Sequence, residues 1–262
     1  MIFSSMCTIA LLIDVIAGAP LVVAANRDEI YARPTRPPEV LRPLIVGGRD
    51  VLSGGTWLAV RANGRFAAVT NQRVLATPPP GLVSRGLAVI DVASADDPDA
   101  YVAALDASKY ASMNLVFGDV RHGVNVAYTR RVEETVEVFR LGAGVHVLCN
   151  DRIGAGGFPR GDRLKSALDQ LADQLAGKSL SDVVAALPAL LGDHTKSALA
   201  DTPPSHLAAE LAREMTATCI HSDFYGTRSS TILALSEDGV LEYLHADGPP
   251  CVTPFRDLRA LL

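Results

Sequence analysis

The stretch from Ile9 to Ala25 constrains this chain most. It is apolar almost throughout, yet Asp14 falls in its middle and no lysine or arginine precedes Arg27. A membrane span needs about 20 residues with no charge at the centre, and a secretory signal needs a basic start. Neither description fits. The run is predicted instead to fold back on itself. Cys7 to Val15 and Leu21 to Asn26 have strand length and are rich in Ile, Val and Leu, and Ala17-Gly18-Ala19-Pro20 supplies a turn between them. The chain thus opens with a buried hairpin.

The segment Arg33-Pro34-Thr35-Arg36-Pro37-Pro38 is expected to be a loop, because proline lacks an N–H and restricts the residue before it. Gly54-Gly55 then opens a second hairpin, Trp57 to Ala62 and Arg65 to Thr70, around Asn63-Gly64, a dipeptide suited to a type I′ turn. Helical periodicity runs from Ser84 to Tyr110 and breaks at Asp96-Asp97-Pro98, a cap followed by a first-turn proline. Strands are predicted at Asn114 to Gly118, Val124 to Tyr128, Glu134 to Arg140 and Val145 to Cys149. Helices follow at Gly161 to Leu175, Leu180 to Leu191 and Ser205 to Met215. A closing hairpin pairs Ser229 to Leu235 with Val240 to His245. Strand blocks and helix blocks are segregated, which points to an α+β fold of antiparallel sheets layered with helices. No repeat or low-complexity linker divides the sequence. Residues 1–262 therefore read as one domain, with residues 1–6 a dispensable or removed extension.

Composition narrows the function. The formal charge is −5, and 20 arginines and 4 lysines are scattered without a basic stripe, so nucleic acid is not an expected partner. The four cysteines, Cys7, Cys149, Cys219 and Cys251, lie far apart with no C-x-x-C pair. That argues against a zinc site and a disulfide scaffold and fits a reducing, cytoplasmic setting. The six histidines, His122, His146, His194, His206, His221 and His245, form no metal motif, so a metal site would have to be assembled from distant segments and none is expected. The glycine cluster before Pro159 breaks the dinucleotide-binding pattern at its third glycine, Asp162 stands where a P-loop needs lysine, and no G-x-S-x-G elbow exists.

Cys7 directly follows Met6. If translation starts at Met6 and that methionine is removed, thiol and free α-amine share one carbon, which unites nucleophile and base. By position alone Cys7 reads as a small apolar residue at the start of a strand. The wider pattern adds Cys7-Thr8-Ile9, Asn26-Arg27-Asp28-Glu29, Gly54-Gly55-Thr56-Trp57, Thr70-Asn71, Ser84-Arg85-Gly86, Asn150-Asp151 and Tyr225 to Ser230. Together these resemble the NRDE family, also called the transport and Golgi organisation protein 2 family. That family is in turn similar to the N-terminal nucleophile hydrolases of the penicillin V acylase and conjugated bile acid hydrolase group.

The resemblance implies a four-layer αββα sandwich and an N-terminal cysteine amidohydrolase acting on a small-molecule carboxamide. It implies that Cys7 is nucleophile and base and that Asp28 binds the α-amine. The Asn71 backbone N–H and the Asn150 side-chain amide would form the oxyanion hole, and Arg228 would favour thiolate. Read without it, Asp28 serves equally to cap a turn, Asn71 and Asn150 to close strand ends, and Arg228 to pair with an exposed acid. Two departures stand out. Ala25 occupies the place of an acylase arginine three residues before the Asp, and Arg27 is not expected to replace it. If Met1 is the true start, exposing Cys7 requires self-cleavage. The alternative function is a non-catalytic carrier or chaperone for haem or acyl lipid, with His221 or Tyr225 as candidate axial ligands. Apart from haem in that case, no cofactor is expected.

Overall fold

The computed structural model describes residues 7–73, 78–174 and 179–262. The opening run folds as predicted, into β1 (Thr8–Ile16) and β2 (Ala19–Ile30) around Gly18 at φ +76°. Asp14 is tolerated because the pairing is irregular between Ile13 and Ile16. There the residue turns out to solvent in a left-handed conformation, φ 55°.

Among the described residues the strands form two antiparallel sheets. One runs β3 (Thr35–Arg42), β4 (Ile45–Asp50), β5 (Leu58–Arg61), β6 (Phe66–Asn71), β7 (Met113–Asp119), β8 (Gly123–Arg130) and β9 (Thr135–Arg140), in chain order. The other sets β1 and β2 between β10 (Gly144–Leu148) and β11 (Tyr225–Ser236), and continues through β12 (Gly239–Ala246) to β13 (Arg256–Asp257). β1 and β2 are therefore interior strands, and both of their faces are apolar because the sheet is covered on both sides.

Strand alternation sorts those faces. Ile9, Leu11, Leu21 and Val23 pack against Val46, Leu58, Val60, Phe66 and Val126 of the other sheet. The intervening Ala10, Leu12, Val22 and Ala24 pack against Leu164 and Leu168 of α3 (Pro159–Gln174) and Val183 and Leu187 of α4 (Leu180–Leu191). On the far side, Ala59, Ala67, Leu115 and Phe117 receive Ala88, Val89 and Val92 of α1 (Arg85–Ser94) and Val102 of α2 (Pro98–Ala103). The result is helix, sheet, sheet, helix, the αββα order expected. Each fully buried Leu or Ile adds about 1.5–3 kcal/mol, so three stacked apolar seams supply the driving force.

Three local expectations are corrected. The proline-rich segment is not a loop but the start of β3, an edge strand bonded only to β4 and irregular at Arg36/Pro38 and Val40/Arg42. An edge with bulges is where a missing N–H costs least. The Asn63-Gly64 turn is not type I′. Gly64 donates to the Arg61 carbonyl at 2.9 Å and only Gly64 is left-handed (φ +85°), giving a three-residue loop that closes with a glycine bulge. The last helix is only α5 (Ala209–Glu214), shorter at both ends than the Ser205 to Met215 expected.

Candidate active site

At one end of the sandwich an open cleft of about 450 Å³ is lined by Cys7, Arg27, Glu29, Trp57, Asn71, Arg85 and Arg228, among others. Its floor comes from β1 and β2. Thr8 pairs with Asn26 and Ile9 with Leu148, so extending those registers sets Cys7 between Arg27 and Asn150. Cys7 shares the face of Ile9 and Leu11 and is almost fully buried.

Residues 26–29 divide by the same alternation. Arg27 and Glu29 face the cleft, where they pair at 3.7 Å, and Glu29 meets Arg33 at the same distance. Ala25 and Arg27 are two apart and so share a face. Ala25 lies sealed between the sheets, while Arg27 reaches the cavity one step further along, so the two occupy different places on that face.

Asn26 and Asp28 face the helical side. The Asn26 amide donates to the carbonyls of Leu191 and Thr218, 2.9 Å each. Asp28 is completely buried and accepts a hydrogen bond from the Thr227 hydroxyl at 2.7 Å. Burial pushes its carboxyl up to about 7, against the pull of the buried Arg160 guanidinium and the Thr227 bond. A group titrating there sits on the border between acid and base at neutral pH. Alternation puts the carboxyl on the face opposite the Cys7 side chain.

Arg85 is the first residue of α1, and it is brought to the cleft by a close backbone approach. Thr56 N–H donates to the Gly86 carbonyl at 3.1 Å, and a Cβ on Gly86 would lie 2.7 Å from the Thr56 nitrogen. Burial holds Arg85 down to about 10, with the Cys7 thiol charge opposing that shift. Arg228 sits where the β2–β11 pairing slips between Thr227 and Ser229, and its guanidinium donates to the Tyr31 carbonyl at 2.6 Å. Both arginines thus bond backbone carbonyls, Arg85 reaching Ser112 at 3.4 Å.

Asn71 ends β6. Val69 N–H donates to Trp57 O and Gln72 N–H to Ser112 O, so the Asn71 N–H points to the β5 side, past the beginning of that strand and toward the cleft. Asn150 is buried just behind it and does not line the cleft. Its Nδ2 donates to the Asn71 carbonyl at 2.9 Å, and its Oδ1 accepts from Arg160 at 2.9 Å. Arginine only donates, so this contact fixes which end of the amide faces Asn71. Of the residues singled out from sequence, Cys7, Asn71 and Arg228 line one cleft, and Asp28 and Asn150 form its backing.

Sequence reasoning gave Arg85 no chemical role and missed Arg160 altogether. Arg160 had a signal: Arg160, Leu164 and Leu168 lie on one row of α3 at spacing four, so the arginine falls on the apolar stripe. Arg160 also donates to the Met215 carbonyl at 3.1 Å, and its charge reaches both Asp28 and the buried Cys149. The candidate haem ligands stand apart from the cavity lining. His221 lies beside Cys219 and Cys251, and Tyr225 packs with Met215 and Ile220. These two do not fit a haem held in the cleft, whose lining histidine is His245. Among the described residues no helix is long and apolar enough to cross a membrane.

The sequence matches the family described as Transport and Golgi organisation 2 over residues 6–247. It is 29% identical over 238 residues to the Transport and Golgi organization protein 2 homolog of Bos taurus, covering 84% of this chain and 83% of that protein. Against the Homo sapiens homolog, 56 residues are 41% identical, 20% of each chain. Among solved structures, the Caenorhabditis elegans N-acylethanolamine-hydrolyzing acid amidase ortholog is similar, with TM-score 0.52, 13% identity, and coverage of 87% of this chain and 92% of that one. A mutant conjugated bile acid hydrolase from Clostridium perfringens has TM-score 0.52 and 12% identity over 97% and 96%. Likeness at this identity shows the fold, the N-terminal nucleophile hydrolase sandwich.

Proposed function

The chain belongs to the Transport and Golgi organisation 2 family, and from that premise we propose that it is an N-terminal cysteine amidohydrolase, acylase-like, cleaving a non-peptide carboxamide. The family match begins at Met6, which fits translation starting there and, once that methionine is removed, a working chain that starts at Cys7. In this reading the Cys7 thiol passes its proton to its own α-amine and the sulfur attacks the amide carbon. The oxyanion takes a hydrogen bond from the Asn71 N–H, and the Asn150 amide, which stands behind the cleft and donates to the Asn71 carbonyl, holds that residue in place. The α-ammonium then returns the proton to the departing amine, which leaves a thioester. Water, deprotonated by the amine, attacks the thioester, releasing the acid and restoring the thiol. Asp28 holds the amine, a main-chain group it can reach although it faces away from the thiol. Arg228, with Arg85 and Arg27 beside it, favours thiolate.

What carries this reading is that Cys7, Asn71, Arg85 and Arg228 line one cleft. The same cleft suggests the substrate class. Arg27, Arg33, Arg36, Arg49, Arg85 and Arg228 outnumber Glu29, Asp50 and Asp247 among its described lining residues, while Trp57 and Val69 offer apolar surface. An acyl chain bearing an anionic group fits both. We place the protein in the reducing cytoplasm, where a free thiol persists.

The test is the intact mass of protein expressed from its native gene, followed by limited iodoacetamide labelling and peptide mapping. The expected result is a chain starting at Cys7 with that thiol labelled first. Amide-hydrolysing protein that keeps residues ahead of Cys7 would overturn the proposal. A second reading, a non-catalytic carrier, is favoured by one observation, the buried Ala25 in place of the acylase arginine. Because His221 and Tyr225 stand off the cleft, acyl lipid is the better cargo. Retention of extracted lipid by Cys7→Ala, with no turnover by the parent protein, would establish it.

A further inference from the structure

Outside the cleft, the fold gathers four side chains that the sequence reading set aside. His194 follows the end of α4, Cys219 and His221 lie in the segment before β11, and Cys251 lies in the turn after β12. One ligand atom from each falls within 4.8 Å of all the others. We propose that His194, Cys219, His221 and Cys251 form a closed tetrahedral site for a zinc ion.

Spacing is the first argument. With Zn–S near ~2.3 Å and Zn–N near ~2.0–2.1 Å, tetrahedral angles require about 3.8 Å between sulfurs and about 3.6 Å between sulfur and nitrogen. The Cys219 and Cys251 sulfurs are 3.8 Å apart. The His221 Nε2 lies 3.6 Å from the Cys219 sulfur and 3.3 Å from that of Cys251. Three edges of the tetrahedron are thus already in place. A disulfide would need the sulfurs at about 2.05 Å, far closer than they stand.

Orientation is the second argument. His194 Nδ1 lies 3.1 Å from the Cys219 carbonyl, the kind of contact that fixes a ligating imidazole's tautomer and leaves its other nitrogen to bind. The Cys219 N–H donates to the Asp193 carbonyl at 2.9 Å, so the ligand-bearing segments also hold one another through their backbones. The His194 and His221 ring centroids are 4.9 Å apart, a separation compatible with two imidazoles converging on one ion.

Four protein ligands leave no position for water or substrate, so the role is structural. Binding displaces two thiol protons, and two thiolates cancel the charge of the ion. The site ties three loop segments behind β2 and β11, where the Thr218 carbonyl receives the Asn26 amide and Ile220 accepts from the Thr227 N–H and donates its own N–H to the Thr227 hydroxyl, which in turn donates to Asp28. A metal there would brace the back of the cleft.

The experiment is metal analysis of the full chain, purified without chelator and again after zinc reconstitution and desalting. The expected result is about one zinc per chain, released stoichiometrically by a mercurial that blocks thiols and lost in the Cys219→Ser/Cys251→Ser double variant. Cobalt(II) in the same site should give the intense visible bands and thiolate charge-transfer absorption of a tetrahedral S2N2 centre. That readout uses the parent chain and stands even if the double variant fails to fold. The proposal is overturned if the reconstituted chain holds less than about 0.2 zinc per molecule. Full zinc retention in a folded double variant, or a Cys219–Cys251 disulfide without metal, would do the same.

Discussion

The two faces of β2 carry neighbouring residues of one tetrapeptide into opposite surroundings. Arg27 and Glu29 face the cleft, with their charges paired and Arg33 joining them. Asn26 and Asp28 face the helical layer, where polar atoms survive by being bonded to Leu191, Thr218 and Thr227. A strand has a period of two, so four consecutive polar residues can serve a binding surface and a buried frame at once. Cleft-side changes should therefore alter chemistry while costing little stability. Frame-side changes should do the reverse first and reach chemistry through geometry.

The sharpest test on the cleft side is Cys7→Ala, which should lower amide turnover by at least ~10³-fold while leaving the unfolding midpoint near that of the parent. On the frame side, Arg160→Ala strips the Asn150 oxygen and the Met215 carbonyl of a buried donor and leaves Asp28 without its nearest cation. The loss should be about 3–5 kcal/mol, read by urea denaturation. Equal stability in that variant would dissolve the distinction between the faces.

Asp28 offers a pH signature. Its carboxyl is raised to about 7 in the folded chain, so the folded state binds the proton more tightly than the unfolded state does. Stability should fall as pH climbs from about 4 through 7 and level off above, by an amount on the order of a few kcal/mol. Asp28→Asn should flatten that fall, as denaturation midpoints at about pH 5 and about pH 8 will report. If Cys7 is N-terminal, its ammonium beside Asp28 lowers this pKa, and the fall is then smaller and levels off at lower pH than in a chain retaining residues 1–6. The smallest effect belongs to Arg27→Gln. Glu29 keeps Arg33 and the Ile30 N–H, so the cost should be about 1 kcal/mol. The pH at which iodoacetamide reacts half-maximally with Cys7 should rise, since a cation is lost from its surroundings.

Much of the frame was legible beforehand. The opening hairpin followed from strand-length apolar runs around a turn, and the break at Asp97-Pro98 gave the start of α2, where Asp97 caps the Ala100 N–H. Segregated strands and helices gave the layered sheets. The resemblance pointed to Cys7, Asn71 and Arg228, which share a cleft, and to Asp28 and Asn150 behind it. Illegible features all depended on neighbours distant in sequence. Pro37 and Pro38 look like loop until β4 alone supplies their pairing and leaves the other edge free. Arg160 looks like a surface residue until its partners, Asn150 and Met215, arrive from other segments. His194, Cys219, His221 and Cys251 show no metal motif because 57 positions separate the first from the last.

The sequence by itself determined the continuous apolar runs that make β1 and β2 a buried hairpin, and the segregation of strands from helices that gives the layered fold. It also determined that Cys7 stands at the head of the first strand. Only the tertiary structure decided which side of β2 each polar residue serves, that Arg85 and Arg27 line the same cleft as Cys7 and Arg228, and that two cysteines and two histidines meet. The reason is physical: periodicity is a local property written along the chain, whereas a site is made of side chains whose separation is set by how sheets and helices pack.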